Sequence, residues 1–231
     1  MLNMVAEQEV PNVAKPGVSS RLMTQGGRSV ATRRALVDAA VETLKSEGFS
    51  GASARAIAGR AGCNQALVFY HFGSVVDLLL AALDEVSATR FERYRQVVAD
   101  AVTPAELVGA AAAIFREDLD AGHVTVLAEM IAGASSTPGL AAALTERIAP
   151  WKAFAAEILS RVAGPALSAV VPADEAAHGV VALYLGLEML AHLDGDRRTA
   201  LALFERARGL SPLLSLAYAR SASPPLGEEH T

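Results

Sequence analysis

The chain has 231 residues, a hydrophobic content of 52%, a mean hydropathy of +0.31 and a net charge of −5, which provides for a sizeable core and excludes global disorder. One cysteine, Cys63, excludes an intramolecular disulfide and a multi-cysteine zinc site. The N-terminus lacks the basic start and apolar core of a signal peptide, so a cytoplasmic setting is expected.

Ala and Leu are abundant and long β-branched alternations are absent, which predicts an all-α fold. Residues 1–25 carry Pro, Gly and Ser without periodicity and read as a flexible arm; residues 221–231 read the same way. A first helix is predicted from Thr32 to Glu47, stopped by Gly48. Ser53 caps a short second helix, Ala54–Arg60, and Asn64 caps a third, Gln65–Phe72. Ser74 with Asp77 opens a long fourth helix reaching to about Ala101. Thr103-Pro104-Ala105-Glu106 combines a cap, an N1 proline and an acid at N3, and starts a helix to Asp120. Further helices are expected over Val124–Ala134, from Thr137-Pro138 to Ala163, over Asp174–His192, and over Arg197–Ala219, the last broken or kinked at Pro212. The apolar stretch Gly179–Leu193 is short for a bilayer and contains Glu188, so it reads as a buried helix and no membrane partner is expected.

Charge is uneven. Arg21–Phe72 holds seven basic and three acidic residues, a net of +4, whereas Gly73–Thr231 holds twelve and twenty, a net of −8. A basic head on an acidic body is the footprint of a polyanion-binding module joined to something else.

Two short helices joined by "AGCN" follow the helix-turn-helix plan, with Gly62 at a turn that favours positive φ. Ile57 and Ala61 would hold Val68 and Phe72, leaving the other side of the third helix for a major groove. The stretch "SARAIAGRAGCNQALVFYHFGSVVDLL", preceded by a helix ending in "EGF", resembles the DNA-binding domain of the tetracycline-repressor (TetR) family of bacterial regulators. The resemblance covers Thr32–Leu83. It implies a three-helix DNA-binding head over residues 26–73, a helical effector-binding and dimerisation body over 74–220, and a palindromic double-stranded DNA operator.

Chemistry supports parts of that expectation. Asn64 and Gln65 open the recognition helix, where Gln suits adenine, and Ala66 can approach a thymine methyl. The resemblance makes Tyr70 and His71 phosphate donors. Ser53 with the amides of its helix can hold another phosphate, and Arg28 and Arg33 can reach the backbone or minor groove. Phe69 stands where the family has Tyr, and Val75 where it often has Lys, so two phosphate contacts are expected to be missing. A core role for Phe69, Tyr70 or His71 is the plainer alternative.

In the body, Glu129 interrupts "VLAEMIAG", and Tyr184, Glu188 and His192 share one helix face. That stripe suits a pocket, a subunit interface or water. Glu129, Met130, Trp151, Phe154, Tyr184 and Glu188 are the candidate effector residues. Leu183, Leu187, Leu190, Leu201 and Phe204, on the last two helices, are the candidate dimer interface, forming a four-helix bundle with a second copy. No cofactor or metal is expected, since Glu188, His192 and His123 match no ligand motif. The leading expectation is a homodimeric repressor released by a small-molecule effector and without enzymatic activity. The alternatives are an effector-independent DNA-binding dimer and a helical enzyme using Glu129, Glu188 and His192 as acid–base groups.

Overall fold

The computed structural model describes residues 18–162 and 171–221, with side chains over 27–162 and 171–210. Among the described residues there are nine helices and no strand: α1 (Val18–Gly51), α2 (Ala54–Arg60), α3 (Ala66–Phe72), α4 (Val75–Val98), α5 (Pro104–Ala121), α6 (His123–Ala134), α7 (Leu140–Val162), α8 (Ala173–Asp194) and α9 (Arg197–Ser221). Residues 1–17 of the expected arm and 222–231 of the expected tail lie outside the described residues.

The first helix starts at Val18 rather than Thr32, taking in residues assigned to the arm. Nothing after Pro16 forbids it, and Arg21, Leu22, Met23 and Gln25 all favour helix. Its inward face is Leu36, Ala40 and Leu44, each fully buried at helical spacing. The helical path breaks at Gly48, as expected, because its φ of 71° is left-handed backbone that other residues resist.

The head is assembled from caps and one small core. The Ser53 hydroxyl accepts from Ala56 N at 3.2 Å and starts α2. Gly62, with φ 67°, turns the chain into α3. Ile57 and Val68 are fully buried, with Ala61 and Phe72 packed on them, so the expected contact between α2 and α3 is present. Burial of each such aliphatic side chain is worth about 1.5–3 kcal/mol, a large share of what a small head can gather.

The Ser74 hydroxyl accepts from Asp77 N at 3.0 Å and opens α4, which ends at Val98, earlier than Ala101. There the chain turns, with Ala101 N donating to Val98 O, and enters the capping box of Thr103 and Glu106 on α5. The first half of α4 buries Leu78, Leu79 and Ala82 against the head; its second half buries Tyr94 and Val98 in the body. One continuous helix therefore belongs to both cores. In the body α7 lies against α8 and α5 against α9, while α6 packs on α1.

One more helix boundary differs from expectation. Helix α7 starts at Leu140, not at Thr137-Pro138, because Gly139 takes φ 81° and cannot continue a helix through that turn. Helix α9 runs through Pro212 to Ser221, without the break that was one of the two expectations there. Helix α8 differs in burial. It has 22 residues, long and apolar enough by composition to cross a membrane, and it was expected to be buried. Its inner side is, but Leu183, Leu190 and Leu193 are exposed, because no other part of the described chain covers that side.

Candidate nucleic-acid interface and effector pocket

Helix α3 divides cleanly. Val68 points into the core, while Gln65, Ala66, Phe69 and Tyr70 face outward. Tyr70 is 78% exposed and Phe69 53%, so a core role for either is ruled out. Helix α3 starts at Ala66 with Gln65 as its cap, one residue later than expected; the Asn64 side-chain oxygen accepts from Ala66 N at 2.8 Å, which leaves its amide donors for other partners. His71 is half-buried, its ring edge-on to Tyr70 at 4.9 Å, and thus braces the exposed phenol. Arg33 crosses from α1 to lie 4.9 Å over the Phe72 ring, bringing an exposed guanidinium beside α3. Arg28 is exposed farther up α1, and Ser53 is exposed at the start of α2. Arg60, by contrast, is committed to Ser46 and Glu47 at 2.9 and 2.8 Å. The head therefore presents one face carrying a short helix of polar tips, a helix start and unburied arginines.

The body holds a cavity of about 190 Å³ between α4, α5, α7 and α8. Its walls are apolar, with Trp151, Phe154, Ile114 and Ile158 prominent, and Arg90, Tyr94, Tyr184 and Arg147 bring polar atoms to it. The aromatic rings brace one another: Trp151 lies 5.1 Å from Phe91 and 5.2 Å from Tyr94, both near edge-to-face.

At one end Asp118, only 3% exposed, is the hub of a buried polar cluster. Arg90 donates to it twice, at 3.2 and 2.6 Å; the Tyr184 hydroxyl donates at 2.7 Å; the Tyr94 hydroxyl donates as well; and His123 Nδ1 lies 3.4 Å away. Burial pushes the Asp118 carboxyl up, but His123, Arg90 and Tyr184 together hold it below the usual carboxylate range. Burial pushes the Tyr184 hydroxyl well up, so it stays a donor. Glu188, fully buried and 3.6 Å from Arg90, has no hydrogen bond to either carboxyl oxygen.

Of the six residues expected to meet an effector, Trp151, Phe154 and Tyr184 line this cavity, whereas Glu188, one helical turn beyond Tyr184, does not line it and lies fully buried 3.6 Å from Arg90, which does. Glu129 and Met130 do not line it. Glu129 turns to α1, where its carboxylate accepts from Phe49 N at 2.8 Å, and Met130 is fully buried in the core shared with the head. The reason is that α6 lies between two neighbours, and its sequence does not say which side meets which. The stripe Tyr184–Glu188–His192 splits likewise, since His192 is exposed. Glu129 is bonded to Phe49 N, Glu188 is buried and His192 is exposed, so this acid–base trio is not assembled. Among the described residues no group of three His, Cys, Asp or Glu is placed to hold a metal ion. Sequence reasoning missed Arg90 and Tyr94; their spacing with Ser87 on one face of α4 was the available signal.

The expected dimer residues also divide. Leu183 and Leu190 are exposed, at 63% and 60%. Leu187, Leu201 and Phe204 instead pack inward around Phe115 and Ala191, because α8 and α9 must each give one side to α5.

Residues 36–82 match the family of bacterial regulatory proteins designated tetR. No curated protein matches the chain. Among solved structures, a transcriptional regulator from Pseudomonas aeruginosa PAO1 shares the fold at TM-score 0.64 and 22% identity, over 81% of this chain and 92% of that one. FadR from Bacillus subtilis, in complex with stearoyl-CoA, superposes at TM-score 0.63 and 16% identity, covering 77% and 96%. The multidrug binding protein EbrR, complexed with imidazole, reaches TM-score 0.55 and 25% identity over 79% and 88%. Residues 36–82 thus carry a tetR-type helix-turn-helix, and the helical plan of the chain is shared with solved regulators of that kind, which together support a DNA-binding transcriptional regulator.

Proposed function

We propose that the protein is a homodimeric repressor that reads a palindromic operator through α3 and is released when a small molecule fills the body cavity. The observation that carries this reading is the double membership of α4. Its first half is core to the head and its second half, through Arg90, Tyr94 and Val98, is wall to the cavity. A ligand that favours one position of that half-helix tilts the heads, and it acts only to the extent that it binds the two states differently. FadR in complex with stearoyl-CoA and EbrR complexed with imidazole, which share this fold, support a ligand-responsive body.

Dimerisation is supported by apolar stripes left open on one side. Leu183, Leu190 and Leu193 on α8, with Leu203 and Leu210 on α9, are all exposed. The intervening Gly179 and Gly186 on α8 allow close approach. Two copies joined there would form a four-helix bundle and set two α3 helices for half-sites one or more helical turns apart.

In the head, Gln65 is the base reader and Ala66 its apolar neighbour. Asn64, Tyr70, His71, Ser53, Arg28 and Arg33 position the backbone, and Phe69 packs against sugar or base methyl without donating a hydrogen bond. Fluorescence anisotropy against the DNA upstream of the protein's own coding region tests this. Wild type binds one sequence in preference to scrambled DNA at moderate salt. Gln65→Ala loses about 1–3 kcal/mol on that sequence and little on others. Tyr70→Ala weakens all sequences alike. No sequence preference in the wild type refutes the operator reading, and a uniform loss in Gln65→Ala refutes its base contact.

A further inference from the structure

An incoming molecule meets two charged side chains in the cavity, Arg90 and Arg147, and both are already committed. Arg147 forks onto Asp84 at 2.8 and 3.0 Å, and its remaining nitrogen donates to Ala143 O at 3.0 Å. Arg90 forks onto Asp118 and faces Glu188. The Tyr94 and Tyr184 hydroxyls donate to the same Asp118. The donors that would greet a carboxylate or phosphate are thus turned toward acids of the protein itself.

Glu188 is the odd member of this cluster. It is fully buried with two oxygens that have no hydrogen-bond partner, an arrangement that proteins avoid unless a ligand or proton answers it. The titratable groups around it are Arg90 and Tyr94 from α4, Asp118 from α5, His123 from α6 and Tyr184 from α8; α7 adds Arg147 to the same cavity. Two acids therefore share one guanidinium. Burial, with Arg90 pulling the other way and Asp118 adding to it, pushes the Glu188 carboxyl up to about 8. Near neutral pH it keeps its proton, and Arg90, Asp118 and Glu188 sum to zero.

That balance discriminates between ligands. An anion added to a neutral buried cluster leaves an uncompensated negative charge in a medium of low dielectric. A cation lets Glu188 release its proton and supply the counter-charge, so the sum stays at zero. The ring faces of Trp151 and Phe154 favour positive charge as well, as the Arg90 guanidinium 5.6 Å over Trp151 illustrates.

We propose that the cavity takes a lipophilic cation, with Glu188 as its counter-charge and Trp151, Phe154 and Ile158 receiving its apolar part. The proposal rests on the reading of this cavity as the effector site.

Trp151 is the sole tryptophan and lines the cavity, so its fluorescence reports occupancy. Three probes share one tail: decyltrimethylammonium, decanol and decanoate, titrated as monomers into the full-length protein at pH 7. The cation binds at least about tenfold tighter than decanoate, a difference of about 1.4 kcal/mol, with decanol between them. In Glu188→Gln, decanol binding is retained and the advantage of the cation over decanol falls to within about twofold. Decanoate binding as tightly as the cation overturns the proposal, and so does an undiminished cation preference in a folded Glu188→Gln. Should that variant fail to fold, the wild-type order alone decides. Silence from all three probes removes the effector site itself, and the proposal with it; a decanoate preference removes only the proposal.

Discussion

The head and the body use charge in opposite ways. In the head the ionic contacts are at the surface: Arg60 with Glu47, Lys45 with Glu42, and Arg34 with Asp38 at 3.9 Å. Such pairs contribute little to stability, so side chains there are free to be spent on a partner. In the body the central charges are buried, with Arg90 and Asp118 at 10% and 4% side-chain exposure. There each charge is tolerated only because its neighbours answer it, and any change in the set is felt by the whole cluster. The comparison teaches that head substitutions should alter DNA affinity with stability kept, whereas body substitutions should alter stability and ligand response together.

The largest expected effect breaks the body's balance. Asp118→Ala leaves Arg90 and two tyrosine hydroxyls without their acceptor and destabilises the fold by roughly 3–5 kcal/mol, read by urea unfolding. A loss below about 1 kcal/mol would mean the cluster is solvated and the contrast between the two regions unfounded.

Next comes the pH dependence of Glu188. Its carboxyl is raised from an ordinary 4.5 to about 8, so the native state binds the extra proton between those values. The stability this supplies is fully present below the unfolded value and is lost as pH rises through the native one. Glu188→Gln, which stays neutral, therefore gains on wild type from about pH 5 to pH 8 and holds that gain above it, on the order of 10 °C in melting temperature. Parallel melting curves across that window would show that Glu188 does not titrate there.

A smaller effect probes the junction. Glu129→Ala removes the acceptor from Phe49 N, where α6 meets the end of α1, and costs about 1–2 kcal/mol. Faster amide exchange over residues 48–53 with the body unchanged is the expected signature; exchange unchanged throughout would leave Glu129 no part in joining head to body. The smallest effect is Phe69→Tyr. The ring is 53% exposed, so the added hydroxyl reaches outward at no packing cost and should tighten DNA binding by a few-fold, most at low salt. No change in affinity would place position 69 off the DNA backbone.

How far the sequence could be read follows from the range of the interactions involved. The caps at Ser53, Ser74 and Thr103 and the breaks at Gly48 and Gly62 involve residues within four positions of one another, and all were legible. So was the outward face of α3, because a seven-residue helix with one small core behind it has only one other side. Glu129 and Met130 lie away from the cavity they were expected to line, and the place of His192 was left open, for a shared reason. Periodicity says that a helix has two faces but not which neighbour each face meets, and α6 and α8 each lie between two.

Residue order alone therefore determined an all-α chain, a helix-turn-helix with its polar tips, and the caps that start three of its helices. Tertiary structure decided that α4 belongs to two cores, that Arg90 and Tyr184 on the cavity wall meet Asp118 and Glu188 in one buried cluster, and that Leu187 and Phe204 turn inward while Leu183 and Leu190 stay open. The physical reason is distance along the chain: Arg90 and Glu188 are far apart in sequence and 3.6 Å apart in space, and only the packing of whole helices can bring them there.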